Sequence, residues 1–236
     1  MNHIIKERIN EAVEVICQDI QEETCQKNWI KISDEEILFE LVLSILGSQN
    51  KYEIALAFAQ EIKDKNLLSN DFHINNINIM ESRLYHILIT PLKISDSMIK
   101  YRFPKTRAKY ISENLVFLQE HIGVKNLLSK FESTNKTRQY IVKNIKGIGP
   151  KQASHFLRNI GFSNNIAILD VHILRYMNIQ EVISEEYKSI SNLKLYEKVE
   201  KQLIKFLEFM MVPIGFIDQA IWIVMRVYQK EYKQWQ

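Results

Sequence analysis

Two residues of the 236-residue chain have the types and the setting to make and break covalent bonds. Lys151 follows directly on Gly147-Ile-Gly-Pro150, and Asp170 stands nineteen residues later in Ala167-Ile-Leu-Asp-Val-His172. A lysine amine can add to an electrophilic carbon and condense to an imine, and a fixed carboxylate steadies positive charge developing on a substrate. Gly147-Ile148-Gly149 makes a tight hairpin between two helical patterns, and Pro150 suits the first turn of the second helix. Such a helix start leaves backbone N–H groups without intrahelical partners at the positive end of the helix dipole, which fits a phosphate. Lys151 stands at that same positive end, with Lys146 and Arg158 nearby in sequence. Taken singly, each residue has a plainer reading: Lys151 as a phosphate contact, Asp170 as the N-cap of a helix after an apolar run. The pair, at this spacing after this hairpin, points to catalysis.

Charge supports a polyanionic partner. Ser133 to Leu169 and Ser97 to Ser112 together hold eleven of the 31 Lys and Arg and none of the 28 Asp and Glu. In the second window Lys100, Arg102, Lys105, Arg107 and Lys109 alternate with Tyr101, Phe103 and Tyr110. A net charge of only +3 therefore conceals a segregated basic face, the electrostatic footprint of nucleic-acid binding.

The elements that must position these groups read as helices. Six Gly and four Pro argue against a turn-dense β fold. Apolar residues recur at Ile5, Ile9, Val13, Ile16 and Ile20 with helical spacing. Ser33-Asp-Glu-Glu36 is a capping box before the apolar run Ile37 to Leu46, which predicts a central buried helix. Gly47-Ser-Gln-Asn50 ends it, and a second helix follows through Ile54, Phe58 and Ile62. Asn66 to Asn78 reads as a polar loop or short helical turns, and helical patterns return around Glu81–Leu88, Arg107–Phe117, Val124–Phe131 and Thr137–Ile145. Asn192 can cap a long helix carrying Leu195, Val199, Leu203, Phe206 and Met210 on one face. The apolar stretch Phe206 to Tyr228 contains Glu208, Pro213, Asp218 and Arg226, so it reads as two buried helices broken at Pro213 and not as a membrane span. Two cysteines, Cys17 and Cys25, cannot build a four-thiolate iron–sulfur or zinc site, and no disulfide framework or leader is visible. A reducing cytoplasm, at the nucleoid, is the expected compartment.

Lys146-Gly-Ile-Gly-Pro-Lys-Gln-Ala-Ser-His-Phe-Leu-Arg-Asn-Ile-Gly161 and Ala167-Ile-Leu-Asp-Val-His-Ile-Leu174 resemble the helix–hairpin–helix superfamily of DNA glycosylases. The resemblance is closest to the type-2 8-oxoguanine DNA glycosylase/lyases, with weaker support from Ser44-Ile-Leu-Gly-Ser-Gln49, Tyr101-Arg-Phe103 and Arg107-Ala-Lys-Tyr-Ile111, and an echo at Asp218 to Trp222. It implies an all-α, two-lobed fold with a helical barrel at residues 34–164 ending in the hairpin. The second lobe would be residues 1–33 plus 165–236, with Asp170 near the junction and the DNA groove between the lobes. Lys151 would attack the sugar C1′ and form a Schiff base, and Asp170 would stabilise the cationic sugar. His172, Gly147, Gly149 and Lys146 would meet the DNA backbone. Gln49, Asn50 and Arg107 would occupy the gap left by a flipped nucleotide, and Phe103 and Trp222 would stack on the extruded base. On residue type alone the two aromatics are core candidates, and His155 is packing or a helix-surface residue. No metal centre or organic cofactor is implied beyond an alkali cation of the kind that hairpin carbonyls bind. The partner would be duplex DNA bearing a damaged base, met by a monomer away from any membrane. The expected reaction is excision of an oxidised purine, 8-oxoguanine first, followed by β-elimination; another modified base, or a hairpin module that binds DNA without catalysis, are the alternatives. Two departures stand out: Val171 lies where type-2 enzymes commonly carry arginine, and fourteen residues follow Trp222.

Overall fold

Ile9, Val13, Cys17 and Ile20 recur at helical spacing and are all buried, one face of α1 (His3–Glu23). Burial raises the Cys17 thiol above its ordinary range. The computed structural model describes residues 3–23, 28–69 and 76–232, without the side chains of 22, 23, 231 and 232; Cys25 lies outside the described residues.

Asn28 to Phe162 forms one compact unit. Its first helix, α2 (Asp34–Leu46), starts at the expected capping box: Ser33 Oγ accepts from the Glu36 N–H at 3.2 Å, and Glu36 Oε2 accepts from the Ser33 N–H at 2.8 Å. Ile37, Leu41, Val42, Leu43, Ile45 and Leu46 are buried, as expected of a central helix. There follow α3 (Tyr52–Asp64), α4 (Ile77–Ile89), β1 (Leu92–Ile94), β2 (Ser97–Ile99), α5 (Pro104–Glu120), α6 (Val124–Leu128), α7 (Thr134–Asn144) and α8 (Pro150–Asn159). Asn76 accepts from the N–H groups of Asn78 and Ile79, so α4 begins inside the stretch read as a loop or short helical turns; residues 70–75 of that stretch lie outside the described residues. The antiparallel pair β1–β2, with Leu92 opposite Ile99 and Ile94 opposite Ser97, was not visible as a pattern. It turns through Ser95-Asp96, with Ser95 in the left-handed region at φ 53°.

The other unit joins residues 1–27 to 163–236. The division falls before Asn28, not after residue 33, because the Trp29 ring packs 5.3 Å from Phe162. Ile166 to Leu169, neither helix nor strand, lead into α9 (Val171–Ile179). Asn192 caps α10 (Leu193–Phe206) by accepting from the Leu195 N–H at 3.0 Å. A 3₁₀ turn and Met211 in the left-handed region precede Pro213, and α11 (Ile214–Tyr232) follows, so the apolar C-terminal stretch is interrupted where proline requires it. α1 packs along α11 in one hydrophobic core with α9 and α10. No helix among the described residues is long and apolar enough to cross a membrane.

Candidate functional site

The hairpin is built as its glycines demand at one position only. Gly147 has φ +82°, and an added Cβ would stand 2.8 Å from the Tyr110 ring. Gly149 is extended, at φ −95°, and an added Cβ would meet only Gln152 Oε1 at 3.4 Å, so its service is an open approach to the backbone. Ile148 is buried and anchors the turn. Asn114 of α5, unremarked in the sequence, clamps it: Asn114 Nδ2 donates to the Lys146 carbonyl at 2.9 Å, and Asn114 Oδ1 accepts from the Lys146 N–H at 2.8 Å. No side chain caps α8, whose first turn carries the exposed Lys151. His155, one turn on, is held neutral: burial first, then Arg158 and Lys151, push it down to about 4. The Lys146 ammonium, expected to meet phosphate, is 2.9 Å from Glu113.

The turn after α2 is strained and braced. Gln49 sits at φ 63° with an exposed side chain. Around it the Tyr101 hydroxyl donates to the Leu46 carbonyl at 2.7 Å, and Asn50 Nδ2 donates to the same carbonyl at 3.3 Å. Arg107 Nη2 donates to the Ser48 carbonyl at 3.3 Å. Arg107 corrects the expectation: it is 7% exposed and supports the turn from beneath, so it is no group to project into DNA. Arg138 of the basic windows is likewise fully buried, with Nη1 3.2 Å from Ser154 Oγ. The solvent-facing cations of those windows are Lys100, Arg102, Lys105, Lys109, Lys136, Lys143, Lys146 and Lys151. Phe103, half-buried at the start of α5, has the Arg102 guanidinium 4.9 Å from its ring centre.

Asp170, in the other unit, does cap its helix: Oδ1 accepts from the His172 N–H at 2.8 Å and from Ile173 at 3.0 Å. His172 stands edge-on to Trp222 at 6.2 Å. Trp222 is 38% exposed, and the Arg226 guanidinium lies 4.4 Å from its ring centre. His172, Arg226, Gln229 and Lys230 line a concavity of about 320 Å³. Three of these four come from α11 and escaped the sequence reading, which took the charges of that helix only as obstacles to a membrane span. Among the described residues no three His, Cys, Asp or Glu side chains group to hold a metal ion.

Comparison with known proteins follows the same lines. The family model described as 8-oxoguanine DNA glycosylase matches residues 18–212. The 8-oxoguanine DNA glycosylase/AP lyase of Methanocaldococcus jannaschii is 31% identical over 216 residues, 90% of each chain. That of Fusobacterium nucleatum is 40% identical over 123 residues, and there the match spans only 56% of the relative's length. The solved 8-oxoguanine DNA glycosylase of Thermotoga maritima has a TM-score of 0.64 at 29% identity, covering 92% of both chains. The M. jannaschii enzyme solved with a 15mer DNA containing 8-oxoguanine has a TM-score of 0.65 at 28% identity, covering 93% of this chain and 95% of that one. With the hairpin, the mostly helical units and a family match over most of its length, the chain belongs to the 8-oxoguanine DNA glycosylase family.

Proposed function

We propose that the protein excises 8-oxoguanine from duplex DNA and then cleaves the strand at the resulting abasic site. The family match over residues 18–212 carries this reading, with an exposed lysine on the first turn after the hairpin in support. The start of α8, with Gly147, Gly149 and Lys146, grips a backbone phosphate without reading sequence; His172 meets another. The damaged nucleotide leaves the stack at a cost of a few kcal/mol, offset by stacking on Phe103 and Trp222 and by Gln49 and Asn50 filling the gap. As the N-glycosidic bond breaks, positive charge gathers on the deoxyribose, and the Asp170 carboxylate stabilises it. The Lys151 amine bonds to C1′, the base departs with a proton, and the opened sugar becomes an imine of the lysine. That imine acidifies the C2′ proton; its removal expels the 3′ phosphate, and water then releases Lys151 from the imine.

Borohydride reduction tests this directly. Incubated with an 8-oxoguanine duplex, the protein should give a covalent DNA adduct, and Lys151→Gln should give none and nick no strand. An adduct that survives Lys151→Gln, or no adduct from the unaltered protein, overturns the reading.

A further inference from the structure

Four consecutive residues, Ile166 to Leu169, are buried in a segment that is neither helix nor strand and, among the described residues, pairs with no strand; within it the Asp170 N–H donates to the Ile168 carbonyl at 2.8 Å. Buried backbone N–H groups need partners, and in most extended chains a neighbouring strand supplies them. Here side chains do. The Ala167 N–H donates to Glu200 Oε1 at 2.9 Å, the Ile168 N–H to Asp218 Oδ2 at 2.6 Å, and the Leu169 N–H to the Tyr196 hydroxyl at 2.9 Å. Tyr196 returns a bond to the Ala167 carbonyl at 2.9 Å. The three acceptors are 5%, 2% and 0% exposed. Tyr196 and Glu200 stand one turn apart on α10, and Asp218 is on α11. Placing two carboxyl groups in a hydrocarbon core is costly, and apolar residues would pack there more favourably. What the carboxyl groups achieve is a fixed path for three successive peptide units, and the next residue is Asp170.

We infer that Asp218, assisted by Glu200 and Tyr196, is a positioning residue that holds the segment bearing Asp170 and thereby sets where that carboxylate stands. Asp218 precedes Trp222 by one turn of α11, so a single helix carries both this anchor and the proposed base-stacking ring. The inference rests on Asp170 being the carboxylate that stabilises the sugar cation.

Single-turnover excision from an 8-oxoguanine duplex, DNA affinity by anisotropy, and thermal melting test it together. Asp218→Ala should slow excision by ~30- to 100-fold, the scale of a misplacement near 1 Å, while affinity changes less than about threefold. Asp218→Asn, which keeps an acceptor for the Ile168 N–H, should recover most of the rate. Val199→Ala opens the same core while leaving the segment's three side-chain acceptors in place; compared at equal distance below its melting midpoint, it should excise at nearly the unaltered rate. In an Asp170→Asn background Asp218→Ala should add no further loss. If Asp218→Ala does not fold, Tyr196→Phe carries the test, with ~10-fold slower excision expected from the same misplacement. Equal slowing in Val199→Ala, failure of Asp218→Asn to recover, independent losses in the double variant, or a normal rate in Tyr196→Phe each overturns the inference. A slow Asp170→Asn beside a normal Asp218→Ala removes only the positioning role, whereas a normal Asp170→Asn removes the catalytic reading of Asp170 along with it.

Discussion

Helices α8 and α9 begin in opposite ways. α8 starts at Gly149, with no side chain capping its first turn. α9 starts at Asp170, whose carboxylate takes the N–H groups of His172 and Ile173. Pro150 gives α8 no N–H at its first position, but both starts offer the N–H groups of their second and third residues and the same dipole end, so the difference lies in what each is left able to hold. The first remains open to an anion from outside the chain. The second is committed to an anion of its own and orients it by two short bonds. Under the proposed function, one kind of structure would serve as a grip in one unit and as a mount for a reactive group in the other.

The sharpest way to break this contrast is Asp170→Asn. Asparagine caps a helix about as well as aspartate, so folding stability should hold while excision falls ~10²- to 10³-fold for loss of the charge. Single-turnover rates and melting curves read the two effects separately, and Asp170→Ala should lose about 1 kcal/mol of stability as well. A parallel fall in DNA affinity and rate would reduce Asp170 to a cap.

The hairpin side is probed by its two glycines. Gly147→Ala forces a side chain into the left-handed region and against Tyr110, and should destabilise the fold by about 1–3 kcal/mol. Gly149→Ala has no such conflict; it should leave the melting midpoint nearly unchanged and weaken DNA binding, because its Cβ narrows the approach to the backbone. Unchanged affinity in Gly149→Ala would remove this turn as the grip.

The smallest effect belongs to His155. Its folded value near 4 lies below the ordinary 6.5, so between those limits the unfolded chain binds a proton that the folded one refuses. Stability should therefore fall as pH drops from 6.5 toward 4, by about 1–2 kcal/mol after allowance for solvent screening, and stay level with respect to this residue above 6.5. Denaturant titrations across that range should show the slope, and His155→Gln should flatten it.

What could be read in advance depended on how local the cause was. The Ser33 capping box, the Asn192 cap, the interruption at Pro213 and the Gly-Ile-Gly turn are each determined by a few adjacent residues, and each stands where the pattern put it. Arg107 and Arg138 were counted with a solvated basic face because composition does not reveal burial; their partners, Ser48 and Ser154, lie 59 and 16 residues away. Asn114 meets Lys146 across 32 residues, and no spacing rule connects them. The strands at Leu92 and Ser97 are three residues each, too short for alternation to register. Glu200 drew no notice and Asp218 read mainly as an obstacle to a membrane span, since their role appears only when α10 and α11 meet the segment before α9.

The left-handed backbone of Gln49 has a kinetic consequence. Tyr101, Asn50 and Arg107 tie that loop down within the unbound chain, so its ordering is done when the polypeptide folds. Under the proposed role of Gln49, the same exposed amide would be offered at every site along DNA, with no loop to order before moving on.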